Sequence, residues 1–283
     1  MSLKQQLDDA ASPLRTWFEG RLPHVGAAKL AFREALSGAT TVLPVPGEEP
    51  IPWSVIGHAV SALCLWQVGP EPEGWLGGRH VMDLLGYGFA PGVVEGLHGL
   101  AEQPPGDLGA DVAARVAWFG GLNDRARRSP RGSDDLIPYQ DATTLEALLA
   151  RVPDRWAADV AAVVAASEPI LAGHAGPGTV VAPVFAGSGR VGGADADYIT
   201  GDGLLVDVKC TKSVGWRSRD LHQLVSYALL DWDDEFSIDA VALLMARQGR
   251  LVAWNLEDLL AKMADEPVQA ADVREDLRTV LQR

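Results

Sequence analysis

Residues 192–211, GGADADYITGDGLLVDVKCT, decide how this chain is read. Gly201-Asp202-Gly203 is a tight-turn signal between two runs rich in apolar and β-branched residues. Residues 194–200 and 204–211 are therefore expected to pair as a hairpin. Strand side chains alternate between faces. Asp207 and Lys209 share one face, while Val206, Val208 and Cys210 share the other, which is apolar and suited to burial. Asp197 lies across the turn, so two carboxylates and one ammonium are expected to meet. Asp195 falls on the same strand face as Asp197 and is an alternative to it.

A helix is expected next, over 219–230. Leu221, Leu224, Val225, Ala228 and Leu229 form its apolar stripe. Gln223 and Tyr227, four apart, lie together on its other side, next to the sheet edge.

Working outward, residues 179–185 (TVVAPVF) read as a strand interrupted by Pro183. Residues 240–246 and 251–254 read as a second hairpin turning at Gln248-Gly249. Helices at 256–263 and 271–282 close the chain, so the second half reads αβββαββα, a mixed sheet with helices packed on it. The first half reads as helical, with apolar spacing near the helical period over 3–18, 27–36, 54–66, 93–101 and 111–127. Pro- and Gly-rich breaks fall at 43–52, 68–78 and 103–109. The polar stretch 129–135 is the best internal boundary or exposed loop, and helices at 143–150 and 154–166 follow it. The expected organisation is a helical region over 1–150 and an α/β core over 151–283, or one integrated domain.

Bulk properties narrow the class. Apolar residues make up 47 % and charged residues 22 %, ordinary for a soluble globular protein. No apolar run approaches the roughly 20 residues that span a bilayer. The start, MSLKQQLDDAASPL, has no apolar segment of the kind a secretory signal carries. Two distant cysteines, Cys64 and Cys210, suggest reduced thiols and a cytoplasmic location rather than a disulfide scaffold; Cys210 is expected to pack in the core. No Cys/His cluster has zinc spacing. The net charge of −14 argues against a sequence-blind nucleic-acid coat, which needs a basic footprint. It leaves room for a cleft where basic residues gather. Only five cations are lysines (Lys4, Lys29, Lys209, Lys212 and Lys262), and two of these lie within four positions of each other at the hairpin.

The chemistry of the hairpin follows from its donor set. Two carboxylates at close range suit Mg²⁺ or Mn²⁺, which keep waters and take substrate phosphate oxygens as further ligands. A metal so held lowers the pKa of a bound water and neutralises phosphoryl charge. Lys209 is placed to stabilise developing negative charge or to orient the attacking water. An acid-x-Lys triplet alone is expected roughly 0.7 times by chance at this composition and carries little weight. Asp197, the apolar lead-in and the later Gln-x-x-x-Tyr, all in order, give it weight.

In that order the residues resemble the PD-(D/E)XK nuclease superfamily, in its RecB-like and lambda-exonuclease-like branch. The resemblance is close over about 193–230 and looser in the strand after it. The longer segments, with LHQLVSYALLDWDDE and LLMARQGRLVAWNL, also resemble actinobacterial proteins of this type. It implies a restriction-endonuclease-like αβββαβ core with a mixed central sheet, preceded by a mostly helical region. It implies a metal-dependent phosphodiesterase acting on nucleic acid, most simply DNA. Asp197 and Asp207 take the metal-ligand positions, the Val208 carbonyl is a further ligand, and Lys209 is the catalytic lysine. Gln223 and Tyr227 match the helix motif. RecB-like members usually add a Glu or His from an earlier helix, often as Gly-x-x-x-His. Here the position four after Gly57 is Ser61, and His58 follows the glycine directly, which makes His58 a candidate third ligand. The alternative implied by the acidic surface and the altered upstream position is a nuclease-fold protein that binds nucleic acid, or serves assembly, without cutting.

Lys212, Arg217 and Arg219 follow the hairpin and are candidates for backbone phosphate contact. The run Arg125, Arg127, Arg128 and Arg131 suits a helix C-terminal end. Of the tryptophans, including Trp53, Trp216 and Trp232, most are expected in the core. Trp216, in a polar loop by the site, is the one placed for base stacking.

Overall fold

Strand β3 (Leu204–Lys209) is the axis of the molecule. In the computed structural model, which describes residues 2–47, 50–69, 81–128 and 131–282, it is the central strand of a five-stranded sheet ordered β1-β2-β3-β4-β5. The expected break at 68–78 falls largely outside the described residues. So do residues 129–130 of the expected loop and the side chain of Arg128.

The other strands are β1 (Val180–Val181), β2 (Tyr198–Ile199), β4 (Ala240–Met245) and β5 (Arg250–Asn255). Pairing is antiparallel for β1–β2, β2–β3 and β4–β5. The β3–β4 pair is parallel, with Asp207 opposite Leu243 and Lys209 opposite Met245. A parallel pair needs a crossover, supplied by the helix at Ser218–Leu230. The protein is thus α/β with a mixed sheet. The expected hairpin turns as the sequence indicates, and Gly203, at φ +83°, approaches the Ser237 carbonyl too closely to carry a Cβ.

Strands β1 and β2 are much shorter than expected. Pro183 has no N–H for the ladder, and Ala182 sits at φ 49°, so β1 stops at Val181 and pairing resumes only at a single Val184–Asp195 bridge. The pair Gly192-Gly193, both at positive φ, keeps the chain before β2 irregular.

Twelve helices are described: α1 (Leu3–Asp8), α2 (Pro13–Arg21), α3 (Gly26–Ala35), α4 (Trp53–Val68), α5 (Pro91–Ala101), α6 (Pro105–Leu108), α7 (Ala110–Arg128), α8 (Leu145–Ala150), α9 (Asp154–His174), α10 (Ser218–Leu230), α11 (Leu256–Met263) and α12 (Ala270–Leu281). The single helix expected over 3–18 is two, because Pro13 opens a new first turn, the helical position where its missing N–H costs nothing. The break expected at 103–109 contains the short α6, also opened by a proline. Helix α9 runs past its expected end with Pro169 inside it, where only one intrahelical bond is lost.

Alternation along β3 divides the core in two. Val206, with Val208 and Cys210 against it, joins a cluster built from α4, α5, α7, α8 and α9. Leu205 joins a second cluster with residues of α1–α3 and α10–α12. The sheet is therefore a layer between two layers of helices. One helix, α9, is long and apolar enough by length and composition to cross a membrane, an exception to the sequence expectation. Its Trp156, Ala157, Val160, Val163 and Val164 pack in the first cluster. Its Asp159 forms a fully buried, two-bond pair with Arg247, at 2.9 and 2.6 Å. That is the pattern of a core helix.

Candidate functional site

The odd-numbered face of β3 surfaces at its C-terminal end. Leu205 is buried in the second cluster, and two and four residues later the same face carries Asp207 and Lys209. Their ion pair is 2.6 Å long, with side chains only 7 % and 14 % exposed. This is no solvated surface pair. Both line a cavity of about 450 Å³ together with Asp195, Asp197, Gln223, Tyr227 and residues of α4.

Asp197, just before β2, is held by both carboxylate oxygens. The Ser61 hydroxyl donates to Oδ1 at 2.8 Å and the Val208 N–H donates to Oδ2 at 2.5 Å. In an antiparallel pair one residue sends its N–H and its C=O to the same side, so the Val208 carbonyl also faces the Asp197 side. Burial, then the nearby charge of Asp207, pushes the Asp197 carboxyl up to about 6; the Val208 and Ser61 hydrogen bonds oppose the rise. Two carboxylates that disfavour each other's charge form a site that gains from a cation.

Lys209 is the hub of a second chain of contacts. Its ammonium donates to the Gln223 Oε1 at 3.1 Å, and the Gln223 Nε2 donates to the Tyr227 hydroxyl at 2.5 Å. Asp220, one turn before Gln223, stands 4.0 Å from the same ammonium. Burial alone would lower the Lys209 pKa, but Asp207, Asp220 and Asp197 outweigh it, so the group is held above its ordinary value and stays charged. Burial and the Asp207 charge hold Tyr227 well above its usual range, so it stays a neutral phenol. Gln223 and Tyr227 do share a side of α10, but that side is not solvated: they are 3 % and 5 % exposed. Phe185 stacks against Tyr227 with ring centroids 6.0 Å apart. Helix α10 is buried nearly all round because α1 and α12 pack on it.

The wall facing the carboxylates is α4. Ser54, Gly57, His58 and Ser61 line the cavity, the i, i+3, i+4, i+7 stripe of one helix face. Ser61, at the position four after Gly57, is the residue that reaches Asp197. His58 instead pairs its Nδ1 with Asp124 Oδ2 of α7 at 2.8 Å. Among the described residues no group of three or more His, Cys, Asp or Glu side chains is set to hold a metal ion. The candidate donors are Asp197 and Asp207, which line the cavity with Asp195, and the Val208 carbonyl, all hard oxygens. They suit Mg²⁺, which is held by one or two carboxylates plus waters and phosphates rather than in an all-protein cage. Asp207 Oδ2 is buried without a hydrogen bond of good geometry, 2.6 Å from the Lys209 ammonium.

Basic and aromatic residues stand at the mouth. Arg217 is exposed there, while Arg219 is engaged by Asp8 at 2.7 and 2.9 Å. Lys212 lies over the Trp53 ring, 5.1 Å from its centroid. Trp216 lines the cavity, meets Phe32 edge-on at 5.4 Å and donates to Ser218 Oγ at 3.3 Å. Arg125 is not among the residues that line the cavity; it pairs with Asp135 and with Ser54, which does line it. Cys210 is half-buried, packed against the first core cluster and also lining the cavity; burial raises its thiol to about 11, so it is inert at neutral pH.

Sequence reasoning did not anticipate Asp124, Asp220 or Lys4 in this cavity. The cavity-lining face of α4 had a legible signal, a stripe of small and polar residues in an otherwise apolar helix. Comparison of the chain with protein-family models, with curated proteins and with solved structures returns no match.

Proposed function

We propose that the protein is a metal-dependent nuclease of the PD-(D/E)XK type, hydrolysing phosphodiester bonds, most simply in DNA. The observation that carries this reading is the convergence of Asp197, Asp207 and Lys209 in one cavity, with Lys209 tied through Gln223 to Tyr227. The element order α9-β1-β2-β3-α10-β4, with its one parallel pair at β3–β4, supports a restriction-endonuclease-like core.

Asp197 and Asp207, with the Val208 carbonyl, would hold Mg²⁺ or Mn²⁺, which supplies an acidified water and charge neutralisation at the phosphoryl group. The chain's own groups do the rest. The Lys209 ammonium presents positive charge where negative charge develops on the phosphoryl oxygens. Gln223 fixes its direction, and Asp220 and Asp207 keep it protonated. Ser61 and the Val208 N–H hold Asp197 in one rotamer, so the donor set is pre-organised. Arg217, which lines the cavity, and Lys212, over the ring of cavity-lining Trp53, suit backbone phosphates.

The test is incubation of the purified protein with linear, circular and single-stranded DNA and with RNA, in Mg²⁺, in Mn²⁺ and in EDTA, beside Lys209→Ala. The reading expects cation-dependent cleavage of at least one substrate, abolished by the substitution. One observation favours a second reading, a binding or assembly module that does not cut: Ser61 stands where the resemblance has a ligand. Tight nucleic-acid binding with no cleavage in any cation would establish it.

A further inference from the structure

Beyond the metal-and-lysine set, the cavity holds a second polar pair whose geometry is that of an acid–base device. Helices α4 and α7 approach closely because α7 carries Gly121: a Cβ there would stand 2.5 Å from the Ala59 nitrogen and 2.9 Å from the His58 carbonyl carbon. Asp124 lies three residues after Gly121, on the same helix face. The close approach therefore sets the Asp124 carboxylate against the His58 ring, 2.8 Å from Nδ1, with the two side chains only 15 % and 30 % exposed. A carboxylate accepts and does not donate, so the Nδ1 proton belongs to that bond and the neutral ring carries its lone pair on Nε2. Among the described residues Asp124 is the imidazole's hydrogen-bond partner, and His58 and Asp124 both line the cavity that holds Asp197 and Asp207. The residue of α4 bonded to Asp197 is Ser61, while the imidazole is bonded to Asp124.

We propose that His58, oriented by Asp124, is the proton acceptor of this site. The inference rests on the phosphodiesterase reading above. In the step it serves, a water oxygen forms a bond to phosphorus as one of its protons passes to His58 Nε2. The bond from phosphorus to the leaving oxygen breaks, and that oxygen takes a proton from solvent. The Asp124 carboxylate stabilises the imidazolium that results; it is a positioning residue, acting through His58. One cavity thus holds both a base, His58, and a charge-stabilising cation, Lys209.

The experiment is single-turnover cleavage of a nuclease substrate by wild type, His58→Ala, His58→Gln and Asp124→Asn, with Mn²⁺ affinity measured calorimetrically on the same proteins. His58→Gln keeps a donor for Asp124 and much of the ring's volume but has no basic nitrogen. Both His58 variants are expected to lose roughly 10²–10⁴-fold in rate, to bind Mn²⁺ as wild type does, and to have thermal midpoints near wild type for His58→Gln. Added imidazole should restore part of the rate to His58→Ala and none to Lys209→Ala. Asp124→Asn should lose less than either His58 variant. A wild-type rate in His58→Gln, no rescue by imidazole, or loss of Mn²⁺ binding in His58→Ala, which would make the ring a ligand, each overturns the proposal while leaving the nuclease reading intact. A wild type that cleaves nothing overturns the reading and the proposal together.

Discussion

Replacing Asp197 by asparagine should stabilise the metal-free protein and abolish the proposed metal-dependent cleavage. The buried carboxyl titrates near 6 instead of its ordinary 3.8. A folded-state pKa raised in this way means that the fold holds the proton more tightly than the unfolded chain. The associated stability is fully present below pH about 4 and is lost as pH rises through about 6. At pH 8 the lost stability is at most about 3 kcal/mol, from 1.36 kcal/mol for each tenfold change in proton affinity. Asparagine removes the charge at no cost in hydrogen bonds: its oxygen accepts the Val208 N–H, and its amide donates to Ser61 Oγ once that hydroxyl turns to accept. The assay is urea unfolding of both proteins in EDTA from pH 4 to pH 8. The Asn variant's advantage should be near zero at pH 4, grow to about 1–3 kcal/mol by pH 7, and level off above. Added Mg²⁺ should raise wild-type stability by mass action and leave the variant unmoved. An advantage independent of pH, or an Asn variant less stable than wild type at pH 8, would refute the reasoning.

Two further outcomes follow from buried contacts. Gln223→Ala strands the Tyr227 hydroxyl and leaves the Lys209 ammonium to its carboxylate neighbours alone, so it should cost about 1–3 kcal/mol in denaturant stability and lower the rate of the proposed cleavage. Wild-type values of both would show that Gln223 orients nothing. Asp159→Ala leaves the fully buried Arg247 unpaired, and calorimetry should find a loss of about 3–5 kcal/mol, with Asp159→Ala together with Arg247→Met recovering much of it.

The site was legible where it depends on short-range periodicity. Alternation along β3 puts Asp207 beside Lys209, the Gly-Asp-Gly turn brings Asp197 across, and a spacing of four stacks Gln223 on Tyr227. What the sequence hides is long-range closure. Gln223 and Tyr227 read as the polar side of α10 next to the sheet edge, but nothing local shows that α1, some two hundred residues earlier, and α12 also pack on that helix; Arg219 paired with Asp8 is the visible seam. Helix α4 carries a stripe of small and polar residues at Ser54, Gly57, His58 and Ser61, but the stripe does not say what it faces, and the role of Ser61 emerges only when a residue 136 positions away meets it. Strand ends failed for a local reason, the dihedral of Ala182 and the glycine pair before β2. Helix α9 ran on through Pro169 because tertiary packing on Trp156, Val160 and Val164 outweighs one lost hydrogen bond.

The account stands most directly on whether Asp197 and Asp207 hold one cation between them. A crystal grown with Mn²⁺, and measured for its anomalous signal, answers that. The account predicts a single strong peak in ligand contact with both carboxylates and with the Val208 carbonyl, at roughly 2.0–2.2 Å, completed by waters. A peak elsewhere, or no peak at saturating Mn²⁺ with Asp207 still closed on Lys209, would contradict it.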